Sequence, residues 1–167
     1  MKNLIKACLA LVEPQFRLDI NHGWHGVGHW ARVYRNAVEL CEVMELNSIV
    51  PTAFAFLHDS QRFDEGMDAM HGPRACEWLD RLYHEGKLGE LNLDLRDYKL
   101  LVRAIEGHSN GGTEDHPIVQ VCWDSDRLDL GRVGTMPLAQ YLCTQHAKRD
   151  STIRAAYNRS VGQPQKS

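Results

Sequence analysis

Apolar side chains recur three and four residues apart in one segment after another, and nowhere do they alternate. Such a chain is constrained to helices that each bury one stripe. Leu4, Ile5, Cys8 and Val12 set out a first amphipathic helix over residues 2–13, closed by Pro14. Val33, Ala37, Leu40 and Met44 predict a second over 28–46, with Arg32, Arg35, Asn36 and Glu39 largely elsewhere around the wheel. A third is expected over 50–60, capped by Ser48, with Pro51 tolerated in its first turn and Phe54, Ala55 and Leu57 in the core. Ala75, Trp78, Leu79 and Leu82 are in helical phase over 73–85, where Gly86 supplies a stop. Tyr98, Leu101, Val102 and Ile105 mark a helix ending at Gly107, and Asp115, His116 and Pro117 open another over 116–128. Weaker periodicity extends over 137–146 and 151–158. The reading is an all-α, single compact helical domain over residues 1–160, with a frayed tail at 161–167.

A chain of 167 residues buries enough surface to hold a core without staples. Its five cysteines are odd in number, widely spread and free of any C-x-x-C pair, which fits reduced thiols in a cytoplasmic protein. Nineteen Lys plus Arg against 22 Asp plus Glu leave a formal charge of -3, so no basic excess tracks a long nucleic acid. Lys6 and Glu13 confine the first apolar run to Ala7–Val12, too short for an export signal. No run approaches the roughly 18 apolar residues of a membrane span. The unusual feature is nine histidines, which directs attention to metal.

Several polar groups fall on the apolar stripes themselves. His29 shares a face with Val33, Ala37 and Leu40; His58 shares one with Phe54 and Ala55; Asp126 follows Cys122 by four residues and Val119 by seven. A lone inward histidine is more often a hydrogen-bonded core residue than a ligand, and Asp126 alone could pair with Arg127 or another arginine. Three such placements on three helices point to one shared partner, and a cation at the helix edge could take both His58 and Asp59. Cys122 reads as core, His84 and His146 as surface, and His22 and His25 as loop residues.

The segments HGVGHWARV at 25–33, FAFLHDS at 54–60, HGPRACEWL at 71–79, AIEGHS at 104–109 and CWDSDRLDLGRVG at 122–134, in that order, resemble the HD-domain superfamily of metal-dependent phosphohydrolases. The resemblance runs from about His22 to Val133 and implies a helical bundle around a metal held by His29, His58, Asp59 and Asp126. It also implies that His71 and His108 could complete a second metal position bridged by Asp59. Two imidazoles and two carboxylates suit Mn, Co, Fe, Ni or Zn. Arg62, one turn beyond His58, could grip a phosphate, and Asp64 or Glu65 could serve as acid or base. The chain departs from enzymes of hyperphosphorylated guanosine, which carry a Glu-Asp pair where HDSQRFDE has Arg62 and Asp64, and it lacks the GYP signature of cyclic-dinucleotide enzymes. The leading expectation is hydrolysis of a nucleotide or another small phosphate ester. The alternatives are a di-iron oxygenase of the same superfamily and a non-catalytic metal- and nucleotide-binding module.

Overall fold

Seven α-helices follow one another in the computed structural model, which describes residues 1–161: α1 (Lys2–Val12), α2 (Val27–Val43), α3 (Ile49–Leu57), α4 (His71–His84), α5 (Leu95–Gly107), α6 (Pro117–Arg127) and α7 (Asp150–Val161). Short 3-10 turns occur at Gly89–Leu91, Leu130–Val133 and Ala139–Tyr141. No strand occurs among the described residues, so the fold is all-α as the periodicity predicts. No helix among them is long and apolar enough to cross a membrane.

The helix ends have local causes. The Asp94 side chain accepts from the Asp97 N–H to open α5, and the His116 ring accepts from the Ile118 N–H with Pro117 in the first turn of α6. Gly86 ends α4 at φ +69°, a left-handed conformation that glycine adopts at little cost. At α3 the cap differs from expectation: Asn47 Oδ1, not the Ser48 hydroxyl, accepts the Ile49 N–H at 2.9 Å. The helix expected over 137–146 is not formed beyond the Ala139–Tyr141 turn. There the chain runs extended through Leu142 so that Cys143 and Thr144 can donate to the buried Asp124 carboxylate, which outweighs the weak local periodicity. Ser160 and Val161 continue α7 instead of fraying; the rest of the expected tail, 162–167, lies outside the described residues.

Eight consecutive residues, Val50 to Leu57, are buried, so α3 is apolar all round and forms the centre of the molecule. Helices α1, α2, α5 and α6 pack around it, and α4 leans on α5. Phe54 and Leu57 are fully enclosed, each contributing roughly 1.5–3 kcal/mol of burial. A second cluster, built on Leu40, Val121, Leu128 and Ile153, seats α7 against α2 and α6. Asn36, placed by periodicity on the polar side of α2, is 3% exposed; it donates to the Ser125 carbonyl and so ties α2 to α6. All five cysteines are free, and burial pushes the Cys8 thiol up to about 12 and Cys41 to about 11.

Two consequences fix where polar groups meet. The chain leaves α3 at its buried C-terminal end, so His58 and Asp59 are 0% and 2% exposed. Helices α4 and α5 approach closely at Gly72, where a Cβ would lie 2.8 Å from the Ile105 carbonyl oxygen. That contact sets His71, at the start of α4, beside His108, just after α5.

Candidate metal centre

The six residues expected as ligands converge. His29 comes from the inward stripe of α2, His58 and Asp59 from the end of α3, His71 from the start of α4, His108 from the end of α5 and Asp126 from the last turn of α6. Within each of three overlapping sets, the donor atoms lie within 4.8 Å of one another: His29, His58 and Asp59; His58, His108 and Asp126; Asp59, His71 and His108. Asp59 faces both histidine pairs. Its Oδ2 is 3.5 Å from His29 Nε2 and 3.3 Å from His58 Nε2, while its Oδ1 is 3.2 Å from His71 Nε2 and 3.8 Å from His108 Nε2.

Hydrogen bonding fixes which ring nitrogens are bare. His58 Nδ1 lies 3.0 Å from the Phe54 carbonyl, His108 Nδ1 2.6 Å from that of Ile105, and His71 Nδ1 against that of Asp68. His29 Nδ1 lies 2.7 Å from Asp129 Oδ2. Carbonyls and an ionised carboxylate can only accept, so in all four rings Nδ1 carries a hydrogen, and in the neutral ring Nε2 is the nitrogen with the free lone pair. Those Nε2 atoms face one another, at 3.1 Å for His29 and His58 and 2.6 Å for His71 and His108. Among neighbouring protein groups, the Ser109 hydroxyl at 3.3 Å and Arg62 Nη1 at 3.4 Å are placed to donate to one of them, His71 Nε2. Opposed lone pairs repel unless positive charge lies between them. Two nitrogens bound about 2.0–2.1 Å from one ion would stand about 3 Å apart.

The oxygens agree. Asp126 Oδ1 is buried, 3.4 Å from His29 Nε2, and has no hydrogen-bond partner, an orphaned acceptor of the kind a cation satisfies. Burial disfavours both charged carboxylates, yet a proton on His58, which would stand at Nε2 in the place of a cation, outweighs it and holds Asp59 and Asp126 below the usual carboxylate range, with Arg132 adding its pull at Asp126. His58 shows the reverse: burial works against its charge, but Asp59 and Asp126 raise its pKa. The cluster therefore draws positive charge to the point where the donors meet. The arrangement can hold a metal ion.

Around this centre lie groups that the sequence reading placed only in part. Arg62 is 8% exposed; its Nη1 is 3.6 Å from Asp59 Oδ1, its Nη2 donates to the Gly66 carbonyl at 2.7 Å, and its Nε has no partner. Asp64 lies outside the cluster. The chain turns away from the α3 axis after Asp59, and the exposed Asp64 carboxylate accepts the Gly66 N–H at 2.7 Å, closing the turn that holds Arg62. Glu65 reaches inward instead, 2.6 Å from Nδ1 of His25, whose ring meets that of His29 edge-on at 6.0 Å. Burial lowers His25 to about 3 and His71 to about 4. His25 is thus buried rather than a plain loop residue, and no local pattern couples it to a carboxylate 40 positions away. Arg127 donates to the Tyr141 carbonyl, whereas Arg132 stands 3.9 Å from Asp126 Oδ1. His84 is exposed as expected, and His146 is half-buried. Asp129, which the sequence reading does not place, stands three residues after Asp126 and seven after Cys122, on the same stripe, and meets His29 Nδ1 at 2.7 Å.

No protein-family model matches the chain, and no curated protein matches it. Among solved structures it is similar to a protein from Lactobacillus plantarum, at 22% sequence identity and a TM-score of 0.56 over 98% of this chain. The match covers 66% of that protein, so this chain spans just under two thirds of its length. The likeness is one of fold: the helical arrangement that gathers the histidines and aspartates has a counterpart in a second chain.

Proposed function

We propose that the chain is a metal-dependent phosphohydrolase of the HD-domain type, acting on a small phosphate ester and foremost a nucleotide. The observation that carries this reading is the division of Asp59, with one oxygen toward His29 and His58, the other toward His71 and His108, and the Arg62 guanidinium beside it. On this reading His29, His58, Asp59 and Asp126 hold one ion, and His71, His108 and Asp59 hold a second. Divalent cations there would supply Lewis acidity toward a phosphoryl oxygen and a water acidic enough to ionise near neutral pH.

The chain's own groups do the rest. Arg62 is pre-oriented by Gly66, which Asp64 in turn holds, so its guanidinium can meet a phosphate without reorganising. The buried rings exclude bulk water, and the centre is most open at Asp126, whose side chain is 17% exposed. Arg132 and Arg32, with side chains 10% and 16% exposed, place further positive charge near that side.

Phosphate release from a panel of nucleotides and sugar phosphates is expected to vanish on chelation and return with Mn or Co. Arg62→Ala should raise KM more than it lowers kcat. Iron-dependent oxygen consumption without phosphate release would place the chain with the oxygenases instead, and metal binding without turnover of any ester would make it a binding module. Either result overturns the proposal.

A further inference from the structure

Three of the four ring anchors are backbone carbonyls, at Phe54, Asp68 and Ile105. The exception is His29, whose Nδ1–H is taken by the Asp129 carboxylate. That carboxylate is fully buried and also accepts from Arg32 Nε at 2.6 Å, Arg32 Nη2 at 3.1 Å and the Ser160 hydroxyl at 2.7 Å. Four donors match the roughly four lone-pair sites of a carboxylate, so Asp129 has no acceptor capacity left over. They come from α2, which carries His29 and Arg32, and from α7, which carries Ser160, while Asp129 itself follows α6.

We infer that Asp129 is a positioning residue that keeps His29 Nε2 bare and turned into the ligand cluster, and that through Ser160 it ties occupation of the metal centre to the seating of helix α7. The inference rests on the reading of the cluster as a metal centre. The argument has two parts. An imidazole that lost its Nδ1 acceptor could move its hydrogen to Nε2, which would then present a donor, not a lone pair, to His58 Nε2 and Asp126 Oδ1. Second, a cation on His29 Nε2 makes Nδ1–H a stronger donor, which draws the carboxylate toward α2 and strengthens the network in which Ser160 sits. Gly131 makes this contact feasible: a Cβ there would lie 2.7 Å from Ser160 Cβ and 3.0 Å from the Tyr157 ring, so a larger residue would lift α7 away.

The test uses the full chain and three variants: Asp129→Asn, Asp129→Ala and Ser160→Ala. Imidazole ¹H–¹⁵N correlations of chelated protein should show His29 protonated at Nδ1 in the parent and in Ser160→Ala, and that signature should be lost in Asp129→Ala. His29 carrying its hydrogen on Nε2 in the parent overturns the inference whatever the metal titration shows, so this readout stands apart from the metal reading. In calorimetric titration with Mn, Asp129→Asn and Asp129→Ala should bind about 10- to 100-fold more weakly while remaining helical. A parent chain that binds no Mn, Co or Zn refutes the metal reading and the coupling with it. Metal should slow amide exchange across residues 150–161 in the parent and much less in Ser160→Ala, the mildest variant and the one best able to keep the fold. Unchanged affinity in both Asp129 variants, or equal protection of α7 in parent and Ser160→Ala, overturns the corresponding half.

Discussion

Asp124 and Asp126 stand two residues apart on α6, about 200° around the helix, and meet opposite surroundings. Asp124 is fully enclosed, and both of its oxygens are engaged. Its oxygens accept from the Cys143 N–H at 2.6 Å and from the Thr144 N–H and hydroxyl, both at 2.8 Å. Asp126 keeps an oxygen without a hydrogen-bond partner and faces three imidazoles, those of His29, His58 and His108. Burial pushes Asp124 up in spite of its three donors, while neighbouring positive charge holds Asp126 down. A buried acid is therefore not in itself a sign of function: one of these two organises a loop, and the other belongs to a cluster that can hold a metal ion.

Breaking each acid should separate the two roles. Asp126→Ala is expected to cost metal affinity well beyond the about 100-fold lost with an outer partner, read by metal titration. Retention of full metal stoichiometry would remove Asp126 from the ligand set. Asp124→Ala should leave two N–H groups and a hydroxyl unsatisfied and lower stability by about 3 kcal/mol or more in urea unfolding, yet its folded fraction should bind metal as the parent does. His71→Ala sharpens the contrast within the cluster, since two equivalents of metal in the parent should fall to one while the His29 side stays filled.

The smallest effect is on pH dependence, measured on chelated protein between about pH 3 and 6. Asp126 has a depressed pKa, so its stability is fully present above the unfolded value near 3.9, begins to be lost there, and goes on being lost as pH falls through the lower folded value. Asp124 has a raised pKa, so its contribution is fully present below the unfolded value and is lost as pH rises through the folded one. Asp126→Asn should accordingly flatten the acid loss of stability and Asp124→Asn steepen it. Parallel curves for the two variants would show that their environments do not differ as described.

The helices with sustained apolar stripes, α2, α4 and α5, were legible because burial of one face leaves a period in the sequence. His29, His58 and Asp126 were legible for the same reason, as polar groups breaking that period. His71 and His108 sit at helix ends, where no period speaks, and were reached through the order of motifs alone. Most of the rest is set by distant partners: the 137–146 segment yields its weak periodicity to Asp124, and Glu65 meets His25 across 40 residues. At α3 two adjacent residues could each cap the helix, and Asn47 takes the bond that Ser48 could have taken. Asp129 carries a local signal too, since it stands three residues after Asp126 and in nearly the same helical phase.

The close approach of α4 and α5 at Gly72 has a mechanical meaning. Across the cluster, His29 and His58 meet at 3.1 Å, and the Phe54 side chain stacks on the His58 ring at 4.8 Å. His71 and His108 are gauged by a hydrogen atom, because one methyl at position 72 would press on the Ile105 carbonyl, and Ile105 also anchors the His108 ring. The two halves of the centre are thus set by different parts of the chain: side chains packed on rings on one side, backbone against backbone on the other, so a side chain at position 72 would act directly on the His71–His108 spacing.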